Sequence, residues 1–293
     1  MNNDINGILI INKPEGKSSG YVDLVCKKIL GTKKIGHIGT LDPFATGVLP
    51  IAINNGTKTI PYIKTKSKTY EFEIKFGEKT NTADKTGEVI DTTQNIPNQK
   101  DIKNIIPEFI GEIEQKPHIF SAIKINGKRS FELARKGEIP QIASRKVTIF
   151  DLKLIDQTSK DIFKFEASVS PGTFIRSLTE DLAESLKSLG YTYSLRRIQD
   201  GRFLLKDAIT LDELREKRDN INDVLIPLEN VLDDIPVISL TCQNVLDLAF
   251  GRSIKIDFLK ENGKYLASNI ETQFLAIVEL VDGVIYPKRI LQN

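Results

Sequence analysis

Strict alternation of apolar and charged side chains is the feature that most constrains how this chain can fold. In residues 69–76 (TYEFEIKF), every second side chain is apolar and the three between them carry charge. A similar alternation returns in residues 147–154 and 163–169. Strands of this kind are buried on one face only, which is typical of antiparallel sheets, whereas parallel sheets need strands that are apolar on both faces. We therefore expect an α+β protein with a mostly antiparallel sheet flanked by helices, and not a doubly wound parallel sheet.

Two segments place apolar residues at helical spacing, and each is associated with a residue that ends helices. Residues 102–110 include Pro107, which predicts a break or a short first segment, because proline removes a helix hydrogen bond and clashes with the preceding turn. Residues 175–189 form an amphipathic pattern that is followed by Gly190, the expected C-cap.

The length of the chain and a change in its local sequence pattern indicate two domains. At roughly 150 residues per domain, 293 residues suggest two. Near Pro236 the sequence changes to short apolar strands separated by glycines. We therefore place a boundary there, with a larger domain over residues 1–236 and a small β-rich domain over residues 237–293.

Residue counts exclude several kinds of chemistry. The chain has two cysteines and two histidines, which do not cluster, so no zinc site is expected. Isolated cysteines suit a reducing cytosol, and from the polar N-terminus we expect no secretory signal. No apolar run reaches the length of about 18 residues that a membrane-spanning helix needs. We expect a cytoplasmic protein with no metal site and no membrane contact.

Positive charge is concentrated in one part of the chain. The net charge is only +2, but residues 116–153 hold nine basic and three acidic residues. Such a segment can bind nucleic acid, because contacts to phosphates supply most non-specific affinity. A solvated, lysine-rich surface is the ordinary alternative, and charge alone does not decide between the two.

The most unusual stretch is residues 33–50, KKIGHIGTLDPFATGVLP. It contains three glycines, and Asp42 precedes Pro43, which pushes the aspartate towards an extended or turn conformation on a loop. An Asp-Pro pair of this kind is most often a simple turn. The glycines do not match a phosphate-binding motif, since neither GxxxxGK[ST] nor GxGxxG is present.

The run GHIGTLDPFATGVLP, preceded by two lysines, resembles the signature of the bacterial tRNA pseudouridine-55 synthases, the TruB family. Further blocks in the same order resemble that family: GILIINKP, KTYEFEIKFGEKTNTADKTGEV, QKPHIFSAIKINGKRSFELARKG, and PGTFIRSLTEDL with a later LRR. The resemblance covers about residues 7–203, and residues 237–293 are more loosely similar to a PUA-like RNA-binding domain. It implies a pseudouridine-synthase-like mixed sheet and isomerisation of uridine 55 in the T loop of tRNA, with assistance to tRNA folding as a compatible second activity.

The resemblance also implies roles for single residues. Asp42 matches the nucleophile, and Arg176 matches an arginine that keeps the carboxylate ionised by lowering its pKa. Tyr70 matches an aromatic that stacks on the flipped-out base and takes the C5 proton, although its strand position also suits a core tyrosine. His37 matches a histidine that holds the flipped-out conformation, and Leu195 an apolar residue against the base. The reaction needs no metal, redox cofactor or group donor.

The basic segment matches the family's RNA-gripping thumb, at about residues 116–146. The implied partner is the T arm of tRNA, with no obligate protein partner and a monomeric enzyme. The candidate phosphate contacts are Lys124, Lys128, Arg129, Arg135 and Lys136.

Some positions depart from the family pattern. Phe174 stands where tyrosine is usual, so a hydroxyl near Asp42 is missing, and His118 replaces the second proline of a Pro-Pro pair. Two other functions remain as alternatives: a non-catalytic RNA-binding or RNA-folding module, and a phosphatase that uses Asp42 as an aspartyl-phosphate nucleophile. The second normally needs Mg²⁺ and further carboxylates, and within twenty residues of Asp42 the chain has only Asp23.

Overall fold

The computed structural model describes residues 5–121, 123–125, 127–134, 136–138, 140–256 and 261–292. The strands are β1 (Gly7–Lys13), β2 (Ile35–His37), β3 (Thr46–Ile53), β4 (Lys68–Phe76), β5 (Glu78–Thr80), β6 (Val89–Thr92), β7 (Gly111–Gln115), β8 (Lys124–Ile125), β9 (Lys128–Arg129), β10 (Arg145–Gln157), β11 (Ile162–Val169), β12 (Gly190–Asp200), β13 (Phe203–Leu204), β14 (Leu225–Ile226), β15 (Val237–Ser239), β16 (Ile254–Lys255), β17 (Gly263–Asn269), β18 (Phe274–Val281) and β19 (Val284–Gln292). The α-helices are α1 (Ser19–Leu30), α2 (Gln99–Phe109), α3 (Ser130–Ala134), α4 (Ile175–Ser185), α5 (Leu211–Glu216), α6 (Leu228–Val231) and α7 (Cys242–Ala249). Among the described residues, no helix is both long and apolar enough to cross a membrane.

The larger sheet has the strand order β14-β1-β3-β12-β4-β11-β10-β7, with β2 added to β3 and β13 to β12. Its described strand pairs are antiparallel except for β3 with β12. Helix α2 packs on β10 and α4 on β12. The expectation of a mostly antiparallel sheet flanked by helices is confirmed. Strands β4 and β11 are half-buried as their alternation predicts, whereas β1 and β3 are buried on both faces.

The alternating side chains of β4 form the centre of the core. Phe72 stacks on Phe165 of β11 with ring centroids 5.4 Å apart, and Phe76 meets Phe163 edge-on at 5.6 Å. Such aromatic pairs contribute about 0.5–1.5 kcal/mol each beyond the area that they bury. Tyr70 lies on the same face and is also buried, so the row of core side chains extends towards the beginning of β4.

The helix expected to reach Gly190 is shorter than the sequence predicts. Helix α4 ends at Ser185, Lys187 takes the left-handed conformation with φ +54°, and Gly190 is the first residue of β12. A Cβ at Gly190 would lie 3.0 Å from the Cβ of Ala183. The predicted C-cap is therefore wrong, and the glycine instead allows α4 to pack closely against the sheet.

Helix α2 runs unbroken through Pro107. The expected break is wrong because the proline lies in the last turn, where its missing N–H removes a single helix bond. Burial of Ile102, Ile106 and Phe109 against the sheet stabilises the helix on the side that faces the core.

A second, five-stranded sheet has the order β15-β17-β18-β19-β16 and carries α7. It begins at Val237, and the expectation of a small β-rich C-terminal unit is confirmed; the division at residue 236 stays a prediction. A shared apolar cluster joins the second sheet to helix α6 and the residues that follow it. Its buried members are Leu228, Leu232, Ile235, Leu266, Leu275, Ile277 and Leu291.

Candidate active site

A cavity of about 210 Å³ opens where the loop before β3, the strands β4 and β12, and the beginning of α4 meet. Four of the residues singled out in the sequence line it together: Asp42, Tyr70, Arg176 and Leu195. They are far apart in the chain, so the fold alone brings them to one place. We call this cavity the cleft. Its other lining residues are Gly39, Thr40, Leu41, Lys68, Gly172, Thr173, Phe174 and Ile175.

The loop that carries Asp42 is held on both sides. Before it, the buried Ser19 hydroxyl accepts from the N–H of Leu41 at 2.9 Å and donates to its carbonyl at 3.0 Å. After it, the carbonyl of Pro43 accepts from the N–H of Gly16 at 2.8 Å and from Lys13 Nζ at 3.1 Å. Because the backbone is bonded immediately before and after Asp42, the carboxylate is held in place.

Arg176 connects four groups of the site through its guanidinium. Its Nε lies 3.0 Å from Asp42 Oδ2, and its Nη1 lies 3.2 Å from Asp84 Oδ2. Its Nη2 donates to the carbonyl of Phe120 at 2.8 Å, and Nη1 also donates to the carbonyl of Thr82 at 3.0 Å. The side chain is only 5% exposed, so these partners take the place of water. We call Asp42, Asp84, Arg176 and the Phe120 carbonyl the arginine cluster.

The electrostatics of Asp42 combine opposing influences. Burial is the largest of them and raises the pKa of the Asp42 carboxyl above its usual value, and the nearby Asp84 raises it further. Arg176 and Lys13 lower the pKa. The lowering of the Asp42 pKa by Arg176 that the resemblance implies is therefore present, although burial acts more strongly in the opposite direction.

Tyr70 belongs both to the core and to the cleft, so the two interpretations of this residue are compatible. Burial raises the pKa of the Tyr70 phenol, and the fully buried Arg197 nearby lowers it. Arg197 in turn donates to the carbonyl of Gly39 at 2.9 Å and pairs with Asp200 at 3.2 Å. Lys68 reaches the same carboxylate at 3.0 Å. This buried charge cluster fixes the wall of the cleft behind the phenol.

Glycine is required at two positions because residues of this buried charge cluster lie very close to the backbone there. Gly39 has φ +77°, and a Cβ there would lie 2.7 Å from Lys68 Nζ. Gly47 has φ +98°, and its Cβ would lie 2.2 Å from the carbonyl oxygen of Arg197. Only glycine suits both the backbone conformation and the space at these positions.

His37 lies beside the cleft and does not line it. Its Nδ1 is 2.7 Å from Asp23 Oδ2 on α1, and its Nε2 is 3.1 Å from Thr40 Oγ1. Thr40 is a lining residue, so His37 supports the edge of the cleft through that hydroxyl. Leu195, on β12, presents an apolar side chain to the cavity beside Tyr70.

The positively charged segment lies outside the cleft as an exposed two-stranded ribbon. We call β8 and β9 the basic ribbon; their cations Lys124, Lys128 and Arg129 are exposed, as is Lys136 just beyond α3. Arg135, the fifth candidate phosphate contact, lies outside the described residues.

The first residues of the positively charged segment are hydrogen-bonded to side chains of α4. The hydroxyl of Ser177 donates to the carbonyl of Lys116 at 3.0 Å, and the Phe120 carbonyl accepts from Arg176. His118 stacks on Phe120 with ring centroids 5.8 Å apart. Burial and Arg176 lower the pKa of His118 to about 4, so its ring is neutral beside the arginine.

Asp84 is a member of the site that was not predicted from the sequence. Its Oδ1 accepts from the Thr82 hydroxyl at 2.9 Å and from the N–H of Thr86 at 2.9 Å, which aims Oδ2 at Arg176. The signal was available in the TADKT stretch, since an aspartate two residues before a threonine forms turns of this type. Lys13 was also missed, because a lysine beside a proline looks like part of an ordinary turn. Among the described residues, no group of three or more His, Cys, Asp or Glu side chains is placed to hold a metal ion.

Comparison with known proteins agrees with this architecture. The family model for the N-terminal domain of the TruB family of pseudouridylate synthases matches residues 27–175. A tRNA pseudouridine synthase B from Ruegeria sp. (strain TM1040) is 38% identical over 99% of this chain and 97% of its own length. The enzyme of the same name from Bradyrhizobium diazoefficiens is 37% identical over 98% of this chain and 86% of its own length. Fold and sequence thus define a pseudouridine synthase class, and within it the chain belongs to the TruB family.

Solved structures share the fold at lower identity. A chain of an H/ACA ribonucleoprotein bound to a substrate RNA containing 2′-deoxyuridine superposes with a TM-score of 0.70 at 19% identity, over 98% of this chain and 85% of that chain. A chain of a Cbf5-Nop10-Gar1 complex gives the same TM-score at 22% identity and the same coverage. The expected fold class, a pseudouridine-synthase-like mixed sheet with a small C-terminal β unit, is confirmed.

Proposed function

We propose that this chain converts uridine 55 in the T loop of tRNA to pseudouridine, with Asp42 as the nucleophile. The observation that carries the proposal is the contact between Asp42 and Arg176, at 3.0 Å, in a cleft whose other walls include Tyr70 and Leu195. Membership of the TruB family supports the same reaction, since the curated relatives are named tRNA pseudouridine synthase B.

The reaction exchanges one bond for another. The Asp42 carboxylate attacks the target nucleotide, at ribose C1′ or at uracil C6, and the bond between N1 and C1′ breaks. The uracil turns while it is held in the cleft, C5 bonds to C1′, and the aspartate is released. The proton lost from C5 is balanced by the proton gained at N1, so the product is an isomer and no oxidant, reductant or group donor is consumed.

Each residue that the resemblance identifies beside Asp42 has a place in this scheme. Arg176 orients the carboxylate and favours its ionised form, against the burial that disfavours it. Tyr70 stacks on the flipped-out uracil and accepts the C5 proton, and Leu195 packs on the base. Stacking contributes about 1–3 kcal/mol per base, which offsets part of the cost of unstacking the uridine. His37 supports the rim through Thr40, against which the displaced loop of the RNA rests.

The RNA is held outside the cleft by charge. The basic ribbon and Lys136 provide exposed cations, which suit phosphate contacts along the T arm. Residues 237–293 form an RNA-binding domain separate from the catalytic domain of residues 1–236. The enzyme acts in the cytoplasm as a monomer and without an obligate protein partner.

The test uses an unmodified tRNA transcript in the presence of EDTA. Wild type, Asp42→Asn and the exposed control Asp219→Asn are incubated with it, and pseudouridine is mapped by carbodiimide treatment and primer extension. We expect a stop at the T-loop uridine with wild type and Asp219→Asn, and none with Asp42→Asn. A wild-type protein that binds the transcript in a salt-sensitive manner but gives no stop is an RNA-folding module, and activity that EDTA abolishes contradicts the metal-free mechanism.

A further inference from the structure

A second arginine lies against one wall of the cleft, outside the arginine cluster. Arg145, the first residue of β10, places its Cζ 5.0 Å from the centroid of the Phe174 ring. Gly172, Thr173 and Phe174 form one wall of the cleft. A Cβ at Gly172 would lie 3.5 Å from Arg145 Nη1, so the guanidinium lies directly along this wall.

The surrounding structure fixes both partners of this contact. In the pairing of β7 with β10, Arg145 stands opposite Gln115. The fully buried Gln115 side chain accepts from the N–H of Phe174 at 2.8 Å and donates to its carbonyl at 3.1 Å. The strand pair that positions Arg145 therefore also positions the ring on which it stacks.

Arg145 differs from its neighbours in having no carboxylate partner among the described residues. On the same strand, Lys146 pairs with Glu112 at 2.7 Å and Lys153 pairs with Asp151. Within the part of the chain that the structure describes, no acidic group lies within ion-pair distance of Arg145. A half-buried cation without a counter-ion at the edge of a cleft provides a site for an anion from outside the protein.

We propose that Arg145 binds the phosphodiester next to the flipped-out uridine, and that Phe174 positions it for this contact. The inference rests on the proposed function. With the base and ribose inside the cleft, the flanking phosphates remain at its mouth, where Arg145 lies. The planar guanidinium stacks one face on the ring and keeps its N–H edge free for two bonds to phosphate oxygens. The ring at position 174 fulfils this role without the hydroxyl of a tyrosine.

The test is a double-substitution cycle, which measures the coupling in binding free energy between one side chain and one phosphate. All proteins carry Asp42→Asn to prevent turnover, and binding of a T-arm stem-loop is measured over a salt series. The RNA is used with ordinary linkages and with a neutral methylphosphonate on either side of the target uridine. Arg145→Gln is compared with Lys103→Gln, which removes the same charge from an exposed position on α2, outside residues 116–146.

We expect Arg145→Gln to weaken binding about tenfold at low salt and to reduce the salt slope by about 0.7–0.9, the value for one phosphate contact. Lys103→Gln is expected to leave both quantities unchanged. One of the neutral linkages weakens binding by the Arg145 protein by a similar factor and has no effect on the Arg145→Gln protein. If each neutral linkage weakens both proteins equally, the proposal is overturned.

Two further variants separate contact from folding. Phe174→Tyr keeps the ring and is expected to keep the coupling to the linkage, whereas Phe174→Leu loses it. Arg145→Lys keeps the positive charge but loses the paired N–H donors of the guanidinium. Compared with Arg145→Gln, we expect it to restore part of the salt slope and little of the affinity. A merely structural role for Arg145 lowers the unfolding midpoint and leaves the linkage effect unchanged, and this result also overturns the proposal. Because binding is measured without catalysis, absence of pseudouridine in the earlier test is a separate failure.

Discussion

The arginine cluster and the basic ribbon are joined through one short segment, yet they are built in opposite ways. In the cluster, the polar atoms of Arg176 bond to Asp42, Asp84 and two carbonyls, with little exposure to water. In the ribbon, three cations project from two short strands into solvent. The comparison shows that the parts proposed for chemistry depend on geometry, whereas the parts proposed for RNA affinity depend on charge. Substitutions should therefore have large, specific effects in the first region and small, additive ones in the second.

The largest effect is expected for Arg176→Met, which keeps the volume of the side chain and removes its donors. Breaking a buried ion pair costs about 3–5 kcal/mol, because the remaining carboxylate is left unpaired. We expect a loss of at least about 100-fold in single-turnover pseudouridine formation, together with a lower midpoint of urea unfolding. A variant that stays within tenfold of wild type contradicts the role of Arg176.

Gly39→Ala tests whether the buried charge cluster behind Tyr70 is as tightly packed as the geometry indicates. The new methyl group meets Lys68 Nζ at 2.7 Å, Asp200 Oδ2 at 3.1 Å and Arg197 Nη1 at 3.3 Å. Gly16→Ala is the matched control, since Gly16 has nearly the same φ, +76° against +77°, and nothing lies within 4 Å of its added Cβ. We expect the free energy of unfolding to fall by about 1–3 kcal/mol more for Gly39→Ala. Equal losses would show that only the backbone conformation matters.

Asp84→Asn tests how the charges of the arginine cluster set the pKa of Asp42. Asp84 raises the pKa of Asp42, so removing its charge lowers that pKa. Because the reaction needs ionised Asp42, activity falls as pH drops through this pKa, and the acid limb of the profile of kcat/KM should move to lower pH. The value on the plateau is expected to fall about tenfold, since Arg176 is less firmly held. Asp91→Asn on the exposed β6 is the control, and a shift of the limb to higher pH contradicts the assignment.

The smallest effect is expected for single cations of the basic ribbon. Lys124→Gln or Lys128→Gln should weaken tRNA binding about two- to threefold and reduce the salt slope by about 0.7–0.9 each. The kcat value should be unchanged, because neither side chain lines the cleft. Lys153→Gln, outside the segment and paired with Asp151, is the control. A single substitution that lowers kcat tenfold would show that the ribbon shares in the chemistry.

The sequence predicted the parts of this molecule that local pattern determines. Alternation along β4 and β11 indicated the half-buried antiparallel sheet, and the motif around Asp42 indicated the loop. The resemblance also identified Tyr70 and Arg176, but not the network that joins them to the rest of the protein. The partnership of Asp84 with Arg176 depends on tertiary contact between residues 92 positions apart, which no local pattern contains.

The two errors in secondary structure have local physical causes. Gly190 was interpreted as a helix cap, although Lys187 takes the left-handed conformation and the glycine serves close packing with Ala183. Pro107 was interpreted as a break, although a proline in the last turn costs a single bond. In both cases, packing against the sheet decided the outcome.

The hydrogen bond from Arg176 to the Phe120 carbonyl has a consequence for protein engineering. The segment of residues 116–146 looks like an independent module that could be exchanged between relatives to change which RNA is bound. Its first residues, however, also hold α4 in place. The Phe120 carbonyl accepts a hydrogen bond from Arg176 beside Asp42, and the Lys116 carbonyl accepts one from Ser177. A graft that begins after Phe120 leaves that carbonyl in place, whereas one that begins at Lys116 places the active site under the control of the donor's backbone.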